Sequence, residues 1–350
     1  MHRTAATNVP VCRIGFVGTG GVATRHADIL SGFPDVALVA ATDVDPARAS
    51  AFADAFSLGT AADVEELLAH DLDAVYVCVP PFAHGPADAA DATAEARVAA
   101  AGVALFVEKP LGVDLPTAEA VGARVQGVLT RVGHHWRCAE PVARARELLA
   151  GRTVRLVSAA WWDKVPPVAW WSHRDRSGGP VVEQAVHVLD LARVLVGEVV
   201  EVSARAGGTV PDGDVDAATA ALLTFADGAV GTLSTASTLG WKQRAGLEIV
   251  ADGLVVGVGE DWLEVHAGPA GAEPQRRTVD RMEACVAADR AFVDAVAGRG
   301  SGAAERTPGR DLPDYEEALR THRLATAVAR SAASGRPEPI APGFAGHAAG

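Results

Sequence analysis

Residues 14–23 read IGFVGTGGVA, a short apolar strand that runs directly into a glycine-rich turn. The turn has the spacing G-x-G-x-x-A, and it is expected to open a helix that ends near Ser31. In such a unit the glycines let backbone N–H groups come close to a pyrophosphate. By itself, the motif is equally compatible with an ordinary tight turn. The candidate cofactor-binding residues of this turn are Gly18, Thr19, Gly20, Gly21 and Val22.

A predicted second strand, residues 36–41, is followed by the acid Asp43. Its position is close to the offset of about 20 residues at which an acid binds an adenine ribose. The other common role of such an acid, capping the next helix, is better filled by Asp45, which directly precedes Pro46. Turn and acid together predict a dinucleotide site. NAD is favoured over NADP, because Asp43 would repel a 2′-phosphate and no arginine immediately follows it.

Residues 105–112, LFVEKPLG, form an apolar run that ends in a lysine and a proline. The run places Lys109 at the carboxyl end of a buried strand, where open α/β sheets bind their ligands. Pro110 restricts the backbone of Lys109, so its ammonium is carried by a stiff segment. A surface lysine before a turn is the alternative for an isolated Lys-Pro pair. Glu108 and Lys109 are therefore candidate cofactor-binding residues, and Lys109 is also a candidate for substrate binding and catalysis.

Between these stretches the sequence predicts a helix at residues 64–69 and a strand at 74–79. The strand is almost entirely apolar, as expected for a central parallel strand, and it ends in Pro80 and Pro81. The two prolines are expected to form a rigid rim where a nicotinamide would lie. His84 either lines the cofactor site or packs beside the next helix.

Strands and helices continue to alternate after this rim. An alanine-rich helix is expected at residues 87–101, another helix from about 114, and a strand at 128–132. The pattern predicts an N-terminal Rossmann domain, a doubly wound parallel sheet, over residues 1–134.

From about residue 135 the pattern changes to longer β-type runs. The predicted strands are residues 153–162, 199–206, 217–225, 229–238, 245–250 and 254–258. Asp-Gly pairs at 227–228 and 252–253 indicate hairpins. These features predict an α+β domain over residues 135–335, built on an open, mostly antiparallel sheet. Its exposed face is a natural surface for a homodimer or homotetramer.

The end of the chain is expected to be helical and then loosely ordered. Helices are predicted at residues 282–297 and 313–330, and the second is placed to pack back on the N-terminal domain. Residues 336–350 are rich in proline and glycine and are predicted to form a loose tail.

A second polar group follows Gly178-Gly179-Pro180, where a further helix is predicted to begin. Glu183, His187 and Asp190 come at spacings of four and three, so they would share one face of an otherwise apolar helix. A carboxylate that holds a histidine is the usual arrangement of a general acid or base. A polar stripe that satisfies itself internally is the structural alternative.

Five of the seven tryptophans fall between residues 136 and 171. Indole faces offer flat apolar platforms that suit pyranose or cyclitol rings, although the same residues could equally form core. The candidate substrate-binding residues are Lys109, Trp136, Arg137, Trp161, Trp171, Glu183 and His187.

No metal site is predicted. His134, His135 and Cys138 lie close together, but adjacent histidines point apart and the set lacks zinc spacing. The four cysteines form no C-x-x-C pair and are expected to be buried thiols. The N-terminal residues lack an apolar leader, and no run of about 18 apolar residues occurs. We therefore expect a cytoplasmic protein.

The charge composition limits the kinds of binding partner that are expected. The formal net charge is −13 with only 31 Lys and Arg in 350 residues, and no basic stripe is visible. Nucleic acid and anionic membranes are therefore not expected as partners, which favours a small-molecule substrate.

Taken together, these motifs resemble the glucose–fructose oxidoreductase / inositol dehydrogenase / MocA (Gfo/Idh/MocA) family over almost the whole chain. Residues 18–23 resemble its cofactor loop, 80–84 its third-strand motif, and 108–110 its Glu-Lys-Pro signature. Residues 133–137 resemble the crossover into its C-terminal domain, and 178–190 its catalytic helix. Within that helix the position usually held by aspartate is a glutamate.

The resemblance implies hydride exchange between a nicotinamide, NAD rather than NADP, and a secondary alcohol or ketone of a sugar or cyclitol. His187 would act as the base, Lys109 would stabilise charge on the reacting oxygen, and Glu183 would orient His187 or bind a neighbouring hydroxyl. Two alternatives remain open: glycoside cleavage by transient oxidation and elimination, and a catalytically silent sugar and dinucleotide sensor of the same fold.

Overall fold

The computed structural model describes residues 11–269, 272–298 and 312–340. Its first sheet has six parallel strands in the order β3-β2-β1-β4-β5-β6. These strands are β1 (Cys12–Val17), β2 (Val36–Thr42), β3 (Gly59–Thr60), β4 (Ala74–Val77), β5 (Ala104–Val107) and β6 (Thr130–Val132). The central strands are buried on both faces, which explains their continuous apolar sequences. The predicted doubly wound parallel sheet is confirmed.

Helices connect these strands and begin where the sequence supplies caps. Asp45, Asp63, Thr93 and Asp114 each accept a hydrogen bond from the first turn of the helix that follows. The helices are α1 (Gly21–Ser31), α2 (Pro46–Phe56), α3 (Val64–Leu68), α4 (Ala94–Ala100) and α5 (Leu115–Arg124).

The second sheet has nine strands in the order β14-β13-β12-β11-β7-β10-β9-β8-β15. These strands are β7 (Val154–Trp162), β8 (Val199–Thr209), β9 (Asp216–Phe225), β10 (Val230–Ala236), β11 (Arg244–Ala251), β12 (Leu254–Val258), β13 (Trp262–Ala267), β14 (Gln275–Thr278) and β15 (Glu338–Pro339). Only β7 and β10 pair in parallel. Both Asp-Gly pairs join antiparallel neighbours, so the two predicted hairpins and the mostly antiparallel sheet are confirmed.

The remaining helices cover one face of the second sheet and bridge to the first domain. They are α6 (Glu140–Leu149), α7 (Arg174–Ser177), α8 (Pro180–Glu183), α9 (Val186–Leu195), α10 (Arg281–Val296) and α11 (Tyr315–Ser334). Near its start α11 contributes Tyr315 and Leu319 to the core of the first domain, and further along it contributes Leu324 and Val328 to the core of the second. Phe292 of α10 packs beneath the first sheet.

Three expectations about individual segments need correction. The single helix expected over residues 87–101 is divided, because Thr93 is extended and caps α4 with its own side chain. Part of the expected loose tail is ordered, since β15 pairs with β8, while residues 341–350 lie outside the described part of the chain. Strands β13, β14 and β15 and the short helix α7 were not predicted; β14 reads QRRT, is exposed throughout and carries no apolar alternation.

Candidate active site

The predicted site segments of the first domain share one edge of the parallel sheet, because each follows a strand. Gly18 comes after β1, Asp43 after β2, Pro80 after β4 and Lys109 after β5. Strands β1 and β4 are neighbours from which the sheet grows in opposite directions, and ligands of open α/β sheets bind at such a switch point.

The glycine-rich turn leaves room for a ligand. Gly18 has a φ of 85°, and a Cβ there would lie 2.5 Å from the carbonyl oxygen of Cys78, so this position requires glycine. A Cβ added at Gly20 or Gly21 would meet nothing within 4 Å. Helix α1 begins at Gly21 without a side-chain cap, so its first N–H groups are available to an anion. The turn therefore fits the phosphates of a dinucleotide.

Asp43 already accepts four hydrogen bonds. Its Oδ2 accepts from the backbone N and Oγ1 of Thr19 at 2.9 and 3.0 Å. Its Oδ1 accepts from the backbone N of Asp45 at 2.9 Å and from Nη2 of Arg48 at 2.8 Å. Burial alone would raise the pKa of Asp43, but these donors lower it. No arginine follows Asp43 directly in the chain, yet α2 brings Arg48 to it, and a ribose hydroxyl must share the carboxylate with these partners.

The segment that follows β4, residues 80–84, contains a half-buried proline and a buried histidine. Pro81 begins a short 3-10 helix that ends at His84, and Pro80 is half-buried at the sheet edge. The imidazole of His84 is buried and Nδ1 is hydrogen-bonded to the carboxylate of Glu95. This contact with Glu95 of α4 agrees with the interpretation in which His84 packs beside the next helix.

Glu108 points into the protein instead of toward a cofactor. Its Oε1 lies 2.9 Å from Nε2 of His26 and 3.5 Å from Arg25, and its Oε2 accepts from the backbone N of Lys109 at 3.1 Å. The other ring nitrogen of His26 lies 2.7 Å from Asp289 on α10. Glu108 thus connects the lysine turn to a buried charge network, and both of its carboxylate oxygens already have partners.

Charges in this network stabilise one another. Burial would lower the pKa of His26, but Asp289 and Glu108 raise it to about 9. Burial would raise the pKa of Glu108, but His26, Arg25 and Lys109 lower it to about 2. At neutral pH the network therefore contains an imidazolium between two carboxylates.

The helix predicted to carry Glu183, His187 and Asp190 on one face is interrupted. Helix α8 ends at Glu183, and the backbone N of Ala185 donates to the carbonyl oxygen of Pro180, five residues earlier, at 2.9 Å. This wide turn separates α8 from α9, so Glu183 is no longer at regular helical spacing from His187, whereas His187 and Asp190 both lie in α9.

Glu183 and Asp190 consequently have partners other than His187. Glu183 accepts from Nζ of Lys109 at 3.2 Å and from Nε1 of Trp171 at 2.8 Å, and its carbonyl oxygen accepts from the same ammonium at 2.9 Å. Asp190 forms a two-point pair with the buried Arg137 at 2.6 and 2.7 Å. The expectation that Glu183 orients His187 is not met, because no hydrogen bond joins them in the described chain.

A cavity of about 250 Å³ lies where the two domains meet. It is lined by Lys109 from the first domain and, from the second, by Trp161, Trp170, Trp171, Glu183, Gln184 and His187 among others. Trp136 and Arg137, which were also predicted to bind substrate, lie behind this wall. Trp136 stacks on His187 at 5.2 Å between ring centres, and the guanidinium of Arg137 is held by Asp190.

His187 is surrounded by rings and cations. Its imidazole lies nearly parallel to Trp136 and Trp161, and its Nδ1 is buried without a hydrogen-bond partner. Burial lowers the pKa of His187 well below its usual value, and the nearby Lys109 and His135 lower it further. His187 is therefore neutral at pH 7, the form in which it can accept a proton.

Several residues of the site carried no local sequence signal. Glu260, in the turn between β12 and β13, lies 3.1 Å from Nε2 of His135 and 3.6 Å from Nζ of Lys242. Lys242 itself lies 4.7 Å from the ring centre of Trp161. Burial would lower the pKa of His135, but Cys285 and Glu260 raise it to about 9. These residues meet only through the fold, so motif spacing could not identify them.

Within the described ranges, no group of three His, Cys, Asp or Glu residues has the geometry of a metal site. No described helix combines the length and apolarity needed to cross a membrane. The cysteines are all buried, as expected.

Comparison with known proteins agrees with the fold. Residues 12–134 match the family model described as an oxidoreductase family with an NAD-binding Rossmann fold, and residues 142–253 match the GFO/IDH/MocA C-terminal domain. Myo-inositol dehydrogenase Hyg17 of Streptomyces leeuwenhoekii is 33% identical over 346 residues, which cover 94% of this chain and 99% of that protein.

Two further proteins are similar over much of their length. Inositol 2-dehydrogenase of Rhizobium meliloti (strain 1021) is 32% identical over 246 residues, covering 66% of this chain and 71% of that protein. The crystal structure of GenD2 from gentamicin A biosynthesis, in complex with NAD, superposes with a TM-score of 0.80 at 24% identity, over 98% and 100% of the two chains, and so shares the fold. The chain therefore belongs to the Gfo/Idh/MocA family of oxidoreductases, whose N-terminal domain is an NAD-binding Rossmann fold.

Proposed function

We propose that the protein is an NAD(H)-dependent oxidoreductase that transfers a hydride between the nicotinamide and a secondary alcohol or ketone of a sugar, sugar derivative or cyclitol. The observation that carries this proposal is the convergence of Lys109, from the end of β5, and His187, from α9, on one cavity beside the switch point. The relatives named inositol dehydrogenases support a cyclitol or a similar polyol as substrate.

The residues of the cavity have the parts that the reaction needs. The chemistry supplied by the cofactor is hydride exchange with the carbinol carbon. Loss of that hydride requires loss of the hydroxyl proton, which the neutral His187 accepts. Because Nδ1 is buried, Nε2 is the nitrogen that a bound hydroxyl can reach. Lys109 donates to the carbinol oxygen and stabilises its developing negative charge.

Glu183 acts on Lys109 in this proposal. Its carboxylate and its carbonyl oxygen both accept from Nζ, and Trp171 fixes the second carboxylate oxygen. The ammonium is therefore held at the cavity wall before substrate arrives. A hydroxyl that enters the cavity can take the place of one of these acceptors.

The first domain supplies the dinucleotide site. The open glycine turn and the uncapped start of α1 would hold the phosphates, and Asp43 would bind a ribose hydroxyl. NAD is preferred over NADP in this proposal, because the positive charge of Arg48 is already compensated by Asp43.

The function is tested by incubating the protein with NAD or NADP and a panel of cyclitols and monosaccharides, and recording absorbance of the reduced cofactor. We expect net NADH formation with at least one free polyol, and loss of this activity in His187→Ala. Cofactor binding without net reduction by any polyol would contradict the proposal. Glycoside cleavage without NADH release would instead indicate transient oxidation and elimination, and binding without either reaction would indicate a sensor.

We further propose that the open face of the second sheet is covered by another copy of the chain. Leu156 and Val230 are direct partners on β7 and β10, and both are exposed, as is Leu222 on β9. Their exposed fractions are 43%, 52% and 62%, which is unusual for a cluster of aliphatic residues. Light scattering after size exclusion should give a dimer or tetramer that Leu222→Glu weakens; a monomeric wild-type protein would contradict this.

A further inference from the structure

The cavity is small compared with sites for larger ligands. Its volume of about 250 Å³ lies below the range of about 300–1,000 Å³ typical of pockets for drug-sized molecules. Its apolar wall is formed by Pro166, Val168 and Trp170, from the segment between β7 and α7. This volume accommodates a single ring.

An aromatic contact between the two domains lies beside this cavity. Trp170 packs against Phe82, on the rim that follows β4, with ring centres 6.4 Å apart. The guanidinium of Arg176 lies 4.9 Å from the centre of the Phe82 ring on the same rim. Trp170 is therefore held at the cavity wall by a neighbour from the first domain.

One polar side chain of the wall has no partner. Gln184 is 7% exposed and lines the cavity. Its Oε1 is buried without a partner, and its Nε2 donates to no residue in the described ranges. Buried amide groups are normally hydrogen-bonded, so an Nε2 without an acceptor at a cavity wall indicates a ligand oxygen that accepts from it. The indole Nε1 of Trp161, on the same wall, is likewise unpartnered.

The position of Gln184 places this amide beside the reacting groups. It is the residue directly after Glu183, which holds Lys109, and it lies in the wide turn that precedes α9 and His187. An amide both donates and accepts, as does a hydroxyl, so a ring hydroxyl near the reacting carbon is a suitable partner.

We propose that Gln184 binds a ring hydroxyl next to the reacting carbinol, and that the cavity accepts a single unsubstituted polyol ring. The substrate is then a free cyclitol or monosaccharide, and glycosides and nucleotide-linked sugars are excluded. This inference rests on the proposed function and narrows its substrate class.

The test compares a free polyol that is turned over, its monodeoxy analogues and its O-glycoside, all with saturating NAD. In the wild-type protein we expect the glycoside to have a kcat/KM about 100-fold lower than the free ring. Gln184→Leu should lower kcat/KM for the free ring about 10-fold, mainly through KM, with the Kd for NADH unchanged. For one monodeoxy analogue, the one lacking the hydroxyl that Gln184 binds, the substitution should cost nothing further.

Controls separate this inference from the proposed function. Gln126→Leu replaces an exposed glutamine far from the cavity and should leave all constants unchanged. Gln184→Glu keeps the shape and serves if the leucine variant does not fold, because it loses the donor but should keep part of the affinity. Equal turnover of glycoside and free ring, or an equal loss for every monodeoxy analogue in Gln184→Leu, would overturn the inference while leaving the dehydrogenase intact. If the wild-type protein reduces NAD with no polyol at all, the proposed function fails first.

Discussion

His26 and His187 are both buried, with 2% and 6% of their surfaces exposed, yet at pH 7 the first is a cation and the second is neutral. His26 lies between Asp289 at 2.7 Å and Glu108 at 2.9 Å, and its pKa is raised to about 9. His187 lies against indole rings near Lys109, and its pKa is lowered well below the usual value.

The comparison shows that burial does not by itself decide what a histidine does. Burial lowers the pKa of both imidazoles, and only the sign of the neighbouring charges differs. Two carboxylates make His26 a fixed cation that connects α1, β5 and α10. Aromatic faces and cations keep His187 neutral and able to accept a proton. The first histidine holds Glu108 beside the lysine turn, and in the proposed function the second accepts the substrate proton.

The largest expected effect comes from removing the fixed cation. His26→Leu removes the cation that lies between Asp289 and Glu108 and leaves Glu108 with the more distant Arg25, so we expect the free energy of unfolding to fall by about 3–5 kcal/mol. Chemical denaturation measures this loss. His266→Leu, at an exposed histidine that also pairs with a glutamate, is the matched control and should change stability by less than about 1 kcal/mol.

The same variant also tests the sign of the pKa shift. A histidine with a raised pKa stabilises the fold fully below its unfolded pKa of about 6.5, and this contribution is lost as the pH rises through about 9. The stability difference between wild type and His26→Leu should therefore be largest below pH 6.5 and shrink above pH 9. A difference independent of pH would mean that His26 acts through packing alone.

The next effect concerns the catalytic side of the comparison. Lys109→Ala removes the cation at the reacting oxygen, so kcat should fall by about 10²-fold or more while NADH binding is largely retained. Steady-state kinetics and fluorescence titration of NADH separate the two. Lys164→Ala, at an exposed lysine, should have no effect on either. Near-normal kcat in Lys109→Ala would assign this lysine a structural role.

A smaller effect is expected at the far end of the cofactor site. Asp43→Ser removes the carboxylate that Arg48 pairs with at 2.8 Å, so the guanidinium keeps only the longer contact to Asp45 at 3.5 Å and can bind a 2′-phosphate. The ratio of kcat/KM for NADP to that for NAD should rise about 10-fold. Adding Arg48→Ala to this variant should abolish the gain. Equal or better use of NADP by the wild-type protein would contradict the assigned preference.

The smallest expected effect is a shift in the pKa of His187 that is caused by a substitution at Glu260, which acts through His135. Glu260→Gln removes an anion that helps to keep His135 protonated, and protonated His135 lowers the pKa of His187. The acid limb of kcat/KM should therefore move to higher pH in this variant. Glu183→Gln should leave the position of the limb unchanged, because Glu183 bonds to Lys109 and not to His187. A downward shift in Glu183→Gln would restore the orienting role expected from the sequence.

The sequence was most informative where a function depends on local chain geometry. The glycine turn, Asp43 and Lys109 could all be placed at one sheet edge, because each directly follows a predictable strand. Two hairpins of the second sheet, β9–β10 and β11–β12, followed from Asp-Gly pairs in the same way.

Prediction failed where the partners are distant in the chain or where periodicity is misleading. Nothing near His26 in the sequence points to Asp289, which is 263 residues away. Apolar periodicity continues through residues 184 and 185, so the interruption between α8 and α9 was invisible, and with it the separation of Glu183 from His187. Gln184 was overlooked because a single glutamine in a helix-like pattern carries no signal until its lack of partners is known.

The most direct test of the opposite charge states is ring ¹⁵N NMR of protein labelled at histidine, with the His187 signals assigned by their absence in His187→Gln. We predict that His187 is a neutral imidazole at pH 7 and takes up a proton only below pH 6.5. We also predict that two other buried histidines, His26 and His135, remain imidazolium ions until the pH approaches 9. A His187 ring that is charged at pH 7 would contradict its assignment as the base that accepts the substrate proton.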